Sequence, residues 1–223
     1  MANRLTQQCW WFDLRGVNAY LVADGDALTL IDTGNPWDAK TLRKEVAATG
    51  YAMREIDRVL LTHYDMDHVG TLGRLVDLDA PIYIGEGDAP FLRGEQRPRW
   101  RNRKAALQRL ASPVLKEVPE VELVADGDEL GSFTAYHTPG HTPGHVAYVS
   151  ETLSTAFLGD LVVERHGRLE PSPYLLSYDD VEVERSIKAL AHRAPQFDVA
   201  AMGHGVPFLK DGAKRLDRLA ATL

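Results

Sequence analysis

Short runs of apolar and β-branched residues recur along the chain and are separated by turns that contain glycine or proline. Residues 17–22 and 27–31 are two such runs, and Asp24-Gly25-Asp26 between them predicts a β-hairpin. Further runs of this kind predict one strand each, at residues 57–61, 81–84, 121–124, 133–137, 145–149, 155–159 and 198–202. The similar order of strands in the two halves indicates two sheets packed face to face with helices outside.

Two stretches have the apolar spacing of amphipathic helices. The first is expected to begin at Asn35-Pro36, an N-cap followed by a first-turn proline, and to end at Gly50. The second is expected to begin after Ser177, with Asp180 as its capping-box-like partner. Their inner faces are predicted at Leu42, Val46 and Thr49 in the first helix, and at Val183, Ile187, Leu190 and Ala194 in the second.

A hexapeptide rich in potential metal ligands, residues 63–68 (His-Tyr-Asp-Met-Asp-His), follows the apolar run Val59-Leu60-Leu61. Three later runs also end at a glycine-containing corner, and the potential ligand there is His141, Asp160 or His204. Burying unpaired Asp and His is costly unless a partner compensates for the lost hydration. Loops at strand ends are also where rigid scaffolds present binding groups. The pattern predicts one shared site for one or two divalent metal ions.

Taken in order, these segments resemble the metallo-β-lactamase fold superfamily, in particular its hydrolases similar to glyoxalase II and the acyl-homoserine lactonases. The superfamily pattern is H-x-H-x-D-H, then a single His, a bridging Asp and a final His, and it falls here on residues 63–68, 138–141, 159–160 and 203–205. The corner Asp32-Thr33-Gly34 also matches. The resemblance implies an α/β fold, the αβ/βα four-layer sandwich with two mixed β-sheets, formed as a single domain over residues 1–223.

The resemblance also implies a dinuclear metal centre. The implied ligands are His63, Asp65 and His141 for one ion, Asp67, His68 and His204 for the other, and Asp160 as the bridge between them. Zn²⁺ is the expected metal for both positions. A metal-bound hydroxide would then cleave an ester, thioester or lactone bond of a small-molecule substrate. Asp67 is assigned a catalytic role in addition to its role as a ligand.

Asp65 departs from the superfamily pattern, in which most members carry His at this position. A carboxylate adds a negative charge and a harder oxygen donor, which moves the metal preference toward Mn²⁺ or Fe²⁺. It should also raise the pKa of the bound water, so we expect a more alkaline activity optimum than in an Asp65→His variant. If Asp65 does not reach the metal, a mononuclear enzyme results. The alternative function is then an iron sulfur-dioxygenase of the same fold, with His63, His141 and Asp160 as ligands.

Several residues near these motifs have roles that the sequence leaves open. Thr142-Pro143-Gly144-His145 repeats the context of His141, and the superfamily match favours His141 as the ligand. His145 is then a supporting or substrate-facing group. The candidates for protonating the leaving group are Tyr64, His145 and Tyr174. Asp32 either bonds nearby backbone amides or contacts a metal ligand.

The segment 86–118 is expected to be a helical, basic insertion. Its basic residues are Arg93, Arg97, Arg99, Arg101, Arg103, Lys104 and Arg109. It is either a solvated helical face or a lid over the active site whose arginines meet an anionic substrate group. The same arginines could grip phosphates, which makes a nuclease or phosphodiesterase a third alternative. Such relatives usually carry a larger added domain, for which this chain has no room.

The composition of the chain limits which partners and which cellular compartment we expect. The chain has 223 residues and a net charge of −7, which argues against a nucleic-acid partner. Its single cysteine, Cys9, excludes an internal disulfide and a Cys-based zinc site. No stretch is apolar enough for a secretory signal or a membrane helix, so we expect a cytoplasmic protein without a membrane partner. A homodimer is compatible with the implied fold.

Overall fold

Two mixed β-sheets form the centre of the molecule. The computed structural model describes residues 2–96 and 120–223. Within these ranges, the first sheet has seven strands in sequential order, of which β1 to β4 are antiparallel and β4 to β7 parallel. Its strands are β1 Asn3–Arg4, β2 Cys9–Asp13, β3 Asn18–Asp24, β4 Ala27–Ile31, β5 Arg58–Leu60, β6 Ile82–Gly85 and β7 Glu122–Val124.

The second sheet has five strands in the order β14-β11-β10-β9-β8, among the described residues. They are β8 Glu129–Leu130, β9 Phe133–His137, β10 Val146–Ser150, β11 Thr155–Gly159 and β14 Val199–Met202. The pair β11 and β14 is parallel, and the other pairs are antiparallel. A separate hairpin pairs β12 Val162–Arg165 with β13 Arg168–Pro171.

Five α-helices occur in the described ranges, in addition to short 3₁₀ turns. They are α1 Ala39–Ala48, α2 Met66–Val69, α3 Ala89–Leu92, α4 Asp180–Arg193 and α5 Gly212–Ala220. No helix within residues 2–96 and 120–223 is long and apolar enough to cross a lipid bilayer.

The alternation of side chains along the strands separates the core into layers. Successive residues of a strand point to opposite faces of its sheet. On β3, Tyr20 therefore packs between the two sheets, while its neighbour Leu21 packs on the outer face of the first sheet. Three apolar clusters result, between α1 and the first sheet, between the two sheets, and between the second sheet and helices α4 and α5. This is the predicted αβ/βα four-layer sandwich.

The structure corrects both predicted helix starts. Helix α1 begins at Ala39 rather than at Asn35-Pro36, because a turn precedes it in which the Asp38 amide bonds the Asn35 carbonyl and the Asn35 amide bonds the Asp38 carboxylate. In α4 the N-cap is Asp179, whose carboxylate accepts the Glu182 amide hydrogen. Ser177 instead donates its hydroxyl hydrogen to the Pro173 carbonyl.

Several elements carry no pattern that we recognised in the sequence. These are the edge strands β1 and β8, strand β2 next to β1, helix α5, and the β12–β13 hairpin. The hairpin turns at His166 and Gly167, which both have positive φ (51° and 77°). Two successive residues of this kind favour a tight hairpin turn, but His at the first position hides the signal. Of the predicted basic insertion 86–118, residues 97–118 lie outside the described ranges.

Candidate metal centre

Four loops at one edge of the sandwich bring the predicted ligands together. Because β9, β11 and β14 run in the same direction, their carboxyl ends meet at one edge of the second sheet. The loop after β5 reaches this edge from the first sheet, and the ring centroids of His63 and His141 lie 4.8 Å apart. Loops from both sheets thus contribute side chains to a single cluster.

The first donor group consists of His63, Asp65 and His141, whose ligand atoms lie within 4.8 Å of one another. Asp65 Oδ2 lies 3.3 Å from His63 Nε2 and 3.0 Å from His141 Nε2. All three residues are buried. The shorter side chain of Asp65 therefore lies in the same group as the two imidazoles. Its length does not prevent it from serving as a ligand in place of the His found in most superfamily members.

The second donor group consists of Asp67, His68 and His204. Asp67 Oδ2 lies 3.9 Å from His68 Nε2 and 3.4 Å from His204 Nε2. Unlike the first group, this one is partly open, because the side chains of Asp67 and His204 are 35% and 33% exposed. The centre is therefore accessible from the side of Asp67 and His204.

Asp160 lies between the two donor groups. Its Oδ1 is 3.5 Å from His68 Nε2, and its Oδ2 is 3.4 Å from His141 Nε2 and 3.3 Å from His204 Nε2. The Asp160 carboxylate thus faces one histidine of the first group and two of the second. All seven predicted ligands lie in one cluster, with Asp160 in the position of a bridge.

The buried atoms of this cluster fit divalent metal ions. His63 Nε2, His68 Nε2 and Asp160 Oδ1 are buried and make no hydrogen bond within the described part of the chain. A buried polar atom without a partner normally costs about 1–3 kcal/mol. Imidazole nitrogens and carboxylate oxygens without a thiolate are the donor set of catalytic metal sites. The residues present therefore suit bound divalent cations.

Each predicted ligand histidine uses its other ring nitrogen to hold its orientation. His63 Nδ1 lies 2.9 Å from Thr62 Oγ1, and His68 Nδ1 lies 2.8 Å from Asp32 Oδ2. His141 Nδ1 lies 2.7 Å from Ser172 Oγ, and His204 Nδ1 lies 2.6 Å from the Gly16 carbonyl oxygen. A carbonyl accepts only from a protonated Nδ1, so in the neutral His204 ring the Nε2 atom is the acceptor. Such outer contacts fix the tautomer and the ring orientation that metal ligands need.

Comparison with known proteins identifies the family to which the chain belongs. The sequence model described as "Metallo-beta-lactamase superfamily" matches residues 12–204. The chain belongs to the metallo-β-lactamase superfamily. Members of this superfamily are generally metal-dependent hydrolases, and the resemblance inferred from the sequence motifs is confirmed at the level of the superfamily.

Similar proteins are found both by sequence and by fold. The uncharacterized protein YobT of Bacillus subtilis is 30% identical over 210 residues, which cover 90% of this chain and 87% of YobT. The crystal structure of TTHA1623 in a di-iron-bound form superposes with a TM-score of 0.71 at 29% identity, over 96% of this chain and 98% of TTHA1623. TTHA1429 from Thermus thermophilus, a metallo-β-lactamase family protein, has a TM-score of 0.72 at 24% identity, over 98% and 80% of the two chains.

The carboxylates around the histidines of this superfamily member control their protonation. Burial alone would lower the pKa of His68, but Asp32, Asp160 and Asp67 raise it to about 9. Burial likewise opposes protonation of His204, and Asp160 with Asp67 raises the pKa of that ring to about 11. Burial would raise the pKa of Asp160, yet the surrounding histidines hold it well below its usual value. Since metal ligands must be deprotonated, metal binding here has to displace protons.

Gly203 permits the close packing of the second donor group. A Cβ atom at this position would lie 2.1 Å from Asp160 Oδ1 and 2.7 Å from His68 Cε1. Neither side chain can move away without leaving the centre. Glycine at position 203 is therefore required by the approach of the backbone to the ligands.

The other sequence candidates occupy different places. His145 is fully buried; its Nε2 accepts the Asp160 amide hydrogen, and its Nδ1 lies 2.8 Å from Thr138 Oγ1. This placement favours the supporting alternative for His145 over the substrate-facing one, because both ring nitrogens already have protein partners. Tyr174 is 62% exposed, in the turn that follows the His141 partner Ser172.

The two remaining sequence candidates are Tyr64 and Asp32. The Tyr64 phenol is buried, stacks on Phe91 and shares a hydrogen bond with the hydroxyl group of Tyr178. Burial raises the pKa of Tyr64 far above its usual value, and the Tyr178 contact adds to this effect. Asp32 makes both contacts considered for it, since its carboxylate accepts the Thr62 amide hydrogen and also contacts the predicted ligand His68.

Proposed function

We propose that this chain is a dinuclear metal-dependent hydrolase that cleaves an ester, thioester or lactone bond in a small molecule. The observation that carries the proposal is the arrangement of two three-residue donor groups on either side of one buried carboxylate, Asp160. A mononuclear centre needs only one such group. Retention of a second group at ligand distances therefore favours two ions.

Seven residues would hold the two metal ions. The ligands would be His63, Asp65 and His141 at the first position, Asp67, His68 and His204 at the second, and Asp160 at both. Divalent cations bound there would supply Lewis acidity that activates a water molecule and polarises the substrate carbonyl. Zn²⁺ is the metal we expect, with Mn²⁺ or Fe²⁺ as alternatives because Asp65 adds an oxygen donor to the first position.

Asp67 is suited to orient the attacking water. It belongs to the second donor group, yet its side chain is 35% exposed, so solvent and substrate reach it. Burial would raise its pKa, but His68 and His204 lower it below the usual value. The carboxylate therefore stays ionised at neutral pH and can accept a hydrogen bond. Because a lowered pKa makes the carboxylate a weak proton acceptor, its catalytic role would be to hold and orient the water rather than to remove its proton.

We assign substrate contact to the turn that holds Tyr174. Ser172 anchors the start of this loop on His141, and Tyr174, Leu175 and Leu176 follow with exposed side chains. Tyr174 remains the accessible phenol among the candidates for protonating the leaving group. Tyr64 is less suitable, because its hydroxyl group is buried and bonded to Tyr178.

The proposal is tested by measuring metal content per chain and hydrolysis together. Elemental analysis of the wild type should give two ions, and panels of esters, thioesters and lactones should reveal metal-dependent turnover. His204→Ala should lose one ion and most of the turnover. The matched control is His192→Ala, which removes an exposed histidine of α4 and should leave both unchanged.

Two outcomes would contradict the proposal. A wild-type protein with two ions but no turnover on any of the three ester classes would refute the substrate assignment. A single iron per chain, with oxygen consumption in the presence of glutathione persulfide, would instead support the mononuclear sulfur-dioxygenase alternative.

A further inference from the structure

Asp88 is a fully buried carboxylate that no sequence motif indicated. It follows β6, in the turn Gly85-Glu86-Gly87-Asp88, and directly precedes the short helix α3. An Asp at this position commonly caps the helix that follows. Here the Asp88 side chain makes no capping hydrogen bond to α3. Its burial therefore needs another explanation.

The carboxylate of Asp88 joins the two loops that carry the first donor group. Its Oδ2 accepts hydrogen bonds from the Tyr64 amide (3.1 Å) and the Thr142 hydroxyl group (2.6 Å). Its Oδ1 accepts from the Gly144 amide (2.6 Å). Tyr64 lies between His63 and Asp65 in the chain, and Thr142 follows His141. One side chain thus contacts the immediate neighbours of all three residues of this group.

Three glycines allow the Asp88 turn to approach the 142–145 loop. A Cβ atom on Gly85 would lie 2.0 Å from the Gly144 carbonyl oxygen, and one on Gly87 would lie 2.9 Å from Gly144 Cα. A Cβ atom on Gly144 would lie 2.1 Å from the Asp88 amide nitrogen. The two backbones are therefore in direct contact, which is a second observation, independent of the hydrogen bonds, that Asp88 is held against the ligand loops.

We propose that Asp88 is a positioning residue for the first metal position, setting the separation of the His63–Asp65 loop from the His141 loop. This inference rests on the proposed metal centre. The second position is oriented by other groups, because His68 Nδ1 bonds Asp32 and His204 Nδ1 bonds the Gly16 carbonyl. Each metal position thus has its own supporting contacts, and loss of Asp88 should weaken the first position selectively.

An ionised carboxylate is required at position 88. The Tyr64 and Gly144 amides can only donate, and each faces a different carboxylate oxygen. An Asn side chain offers one oxygen and one NH₂ group, so one of these amides would face another donor whichever way the Asn is turned. Asp88→Asn therefore keeps the size of the side chain but loses the hydrogen bond to the Tyr64 amide or to the Gly144 amide and places two donors against each other, which should shift one loop relative to the other.

The experiment measures metal binding rather than turnover. Wild type, Asp88→Asn and the control Asp38→Asn are titrated with Zn²⁺ and with Co²⁺ against a chelator of known affinity, and bound metal per chain is counted. Asp38 is a matched control, since it is also fully buried and accepts one backbone amide hydrogen, from Asn35. We expect one of the two ions to bind Asp88→Asn about 10–100-fold more weakly, the range for loss of an outer contact, and the other to bind unchanged.

Thr142→Val and Thr142→Ser keep the test valid if Asp88→Asn does not fold. Val removes the hydroxyl group that Asp88 accepts from, whereas Ser retains it. Weaker binding of one ion in Thr142→Val, with wild-type binding in Thr142→Ser, would support the positioning role. Unchanged affinity for both ions in Asp88→Asn and Thr142→Val would overturn it, as would an equal loss in Asp38→Asn.

Failure of the proposed function gives a different result. A wild type that binds two ions without hydrolysing any ester class removes the hydrolase proposal and leaves the positioning test intact. A wild type with a single ion removes the dinuclear centre. Asp88 is then judged on that ion alone: its loss in Asp88→Asn would support the positioning role, and its retention would overturn it.

Discussion

Replacing Asp32 with Asn should impair the second metal position through the protonation of His68. The Asp32 carboxylate accepts hydrogen bonds from the Thr62 amide (2.8 Å) and the Thr62 hydroxyl group (2.7 Å), and its Oδ2 also lies 2.8 Å from His68 Nδ1. In Asp32→Asn, the oxygen can still accept from the Thr62 amide, but the NH₂ group then faces His68 Nδ1. That nitrogen has to become an acceptor, so the proton moves to Nε2, which faces the metal centre.

The size of the effect follows from these contacts. A hydrogen bond to a charged group contributes about 1.5–3 kcal/mol, and this one lies among buried residues, where solvent does not screen it. Loss of an outer contact to a ligand histidine lowers metal affinity by about 10–100-fold. That range corresponds to about 1.4–2.8 kcal/mol, since each tenfold change in affinity is about 1.4 kcal/mol. The two estimates agree.

Chelator competition on Asp32→Asn measures this loss, and urea unfolding of the metal-free protein measures any separate loss of stability. The control is Asp57→Asn, which removes a carboxylate that accepts the Leu28 amide hydrogen at the opposite end of β5. We expect one ion to bind about 10–100-fold more weakly in Asp32→Asn only. Unchanged affinity for both ions would show that Asp32 does not set the His68 tautomer, and the reasoning would fail.

Three further predictions follow from the same cluster. In Asp65→His, removal of a negative charge next to His63 and His141 should move the pH–rate profile to lower pH by on the order of one unit, and coincident profiles would refute this. In the metal-free protein, the pKa of His68 is raised from 6.5 to about 9, so protonated His68 stabilises the fold by about 3 kcal/mol below pH 6.5. This stabilisation should be lost as the pH rises through 9. Denaturant titrations from about pH 6 to 10 measure the free energy of unfolding, and a value independent of pH would contradict the prediction. Gly203→Ala should displace Asp160 and cost about 1–3 kcal/mol of stability together with metal affinity, and a variant that retained both ions with wild-type affinity would contradict the steric argument.

The strand pattern and the ligand motifs could be interpreted from the sequence because their signals are local. A short apolar run ending at a glycine corner predicts a strand and the loop after it, and the observed strands β3 to β7, β9 to β11 and β14 lie within two residues of the predicted bounds. The structure brings all seven predicted ligands into one cluster. Strand order predicted one shared site, since parallel strands place their carboxyl ends at the same edge, and the resemblance to the superfamily pattern supplied the individual ligands.

Helix starts were less predictable, because competing side chains can satisfy the same backbone groups. Asn35 is a residue type that is common at N-caps, yet its backbone amide donates to the Asp38 carboxylate and helix α1 begins only at Ala39. Near α4, Ser177 and Asp179 both suit the capping position, and the structure uses Asp179. Local preference names the residues that can cap a helix but does not choose between them when two lie within one turn.

The sequence by itself determined nine of the fourteen described strands, the two-sheet sandwich and the identity of the residues grouped at its edge. Only the tertiary structure decided what supports them. The contacts of Asp88 with Thr142, of His204 with Gly16 and of His141 with Ser172 join positions 31 to 188 residues apart. A bond from a side chain to a distant backbone or hydroxyl group requires no periodicity and no neighbouring motif, because it depends on how the folded layers bring two loops together.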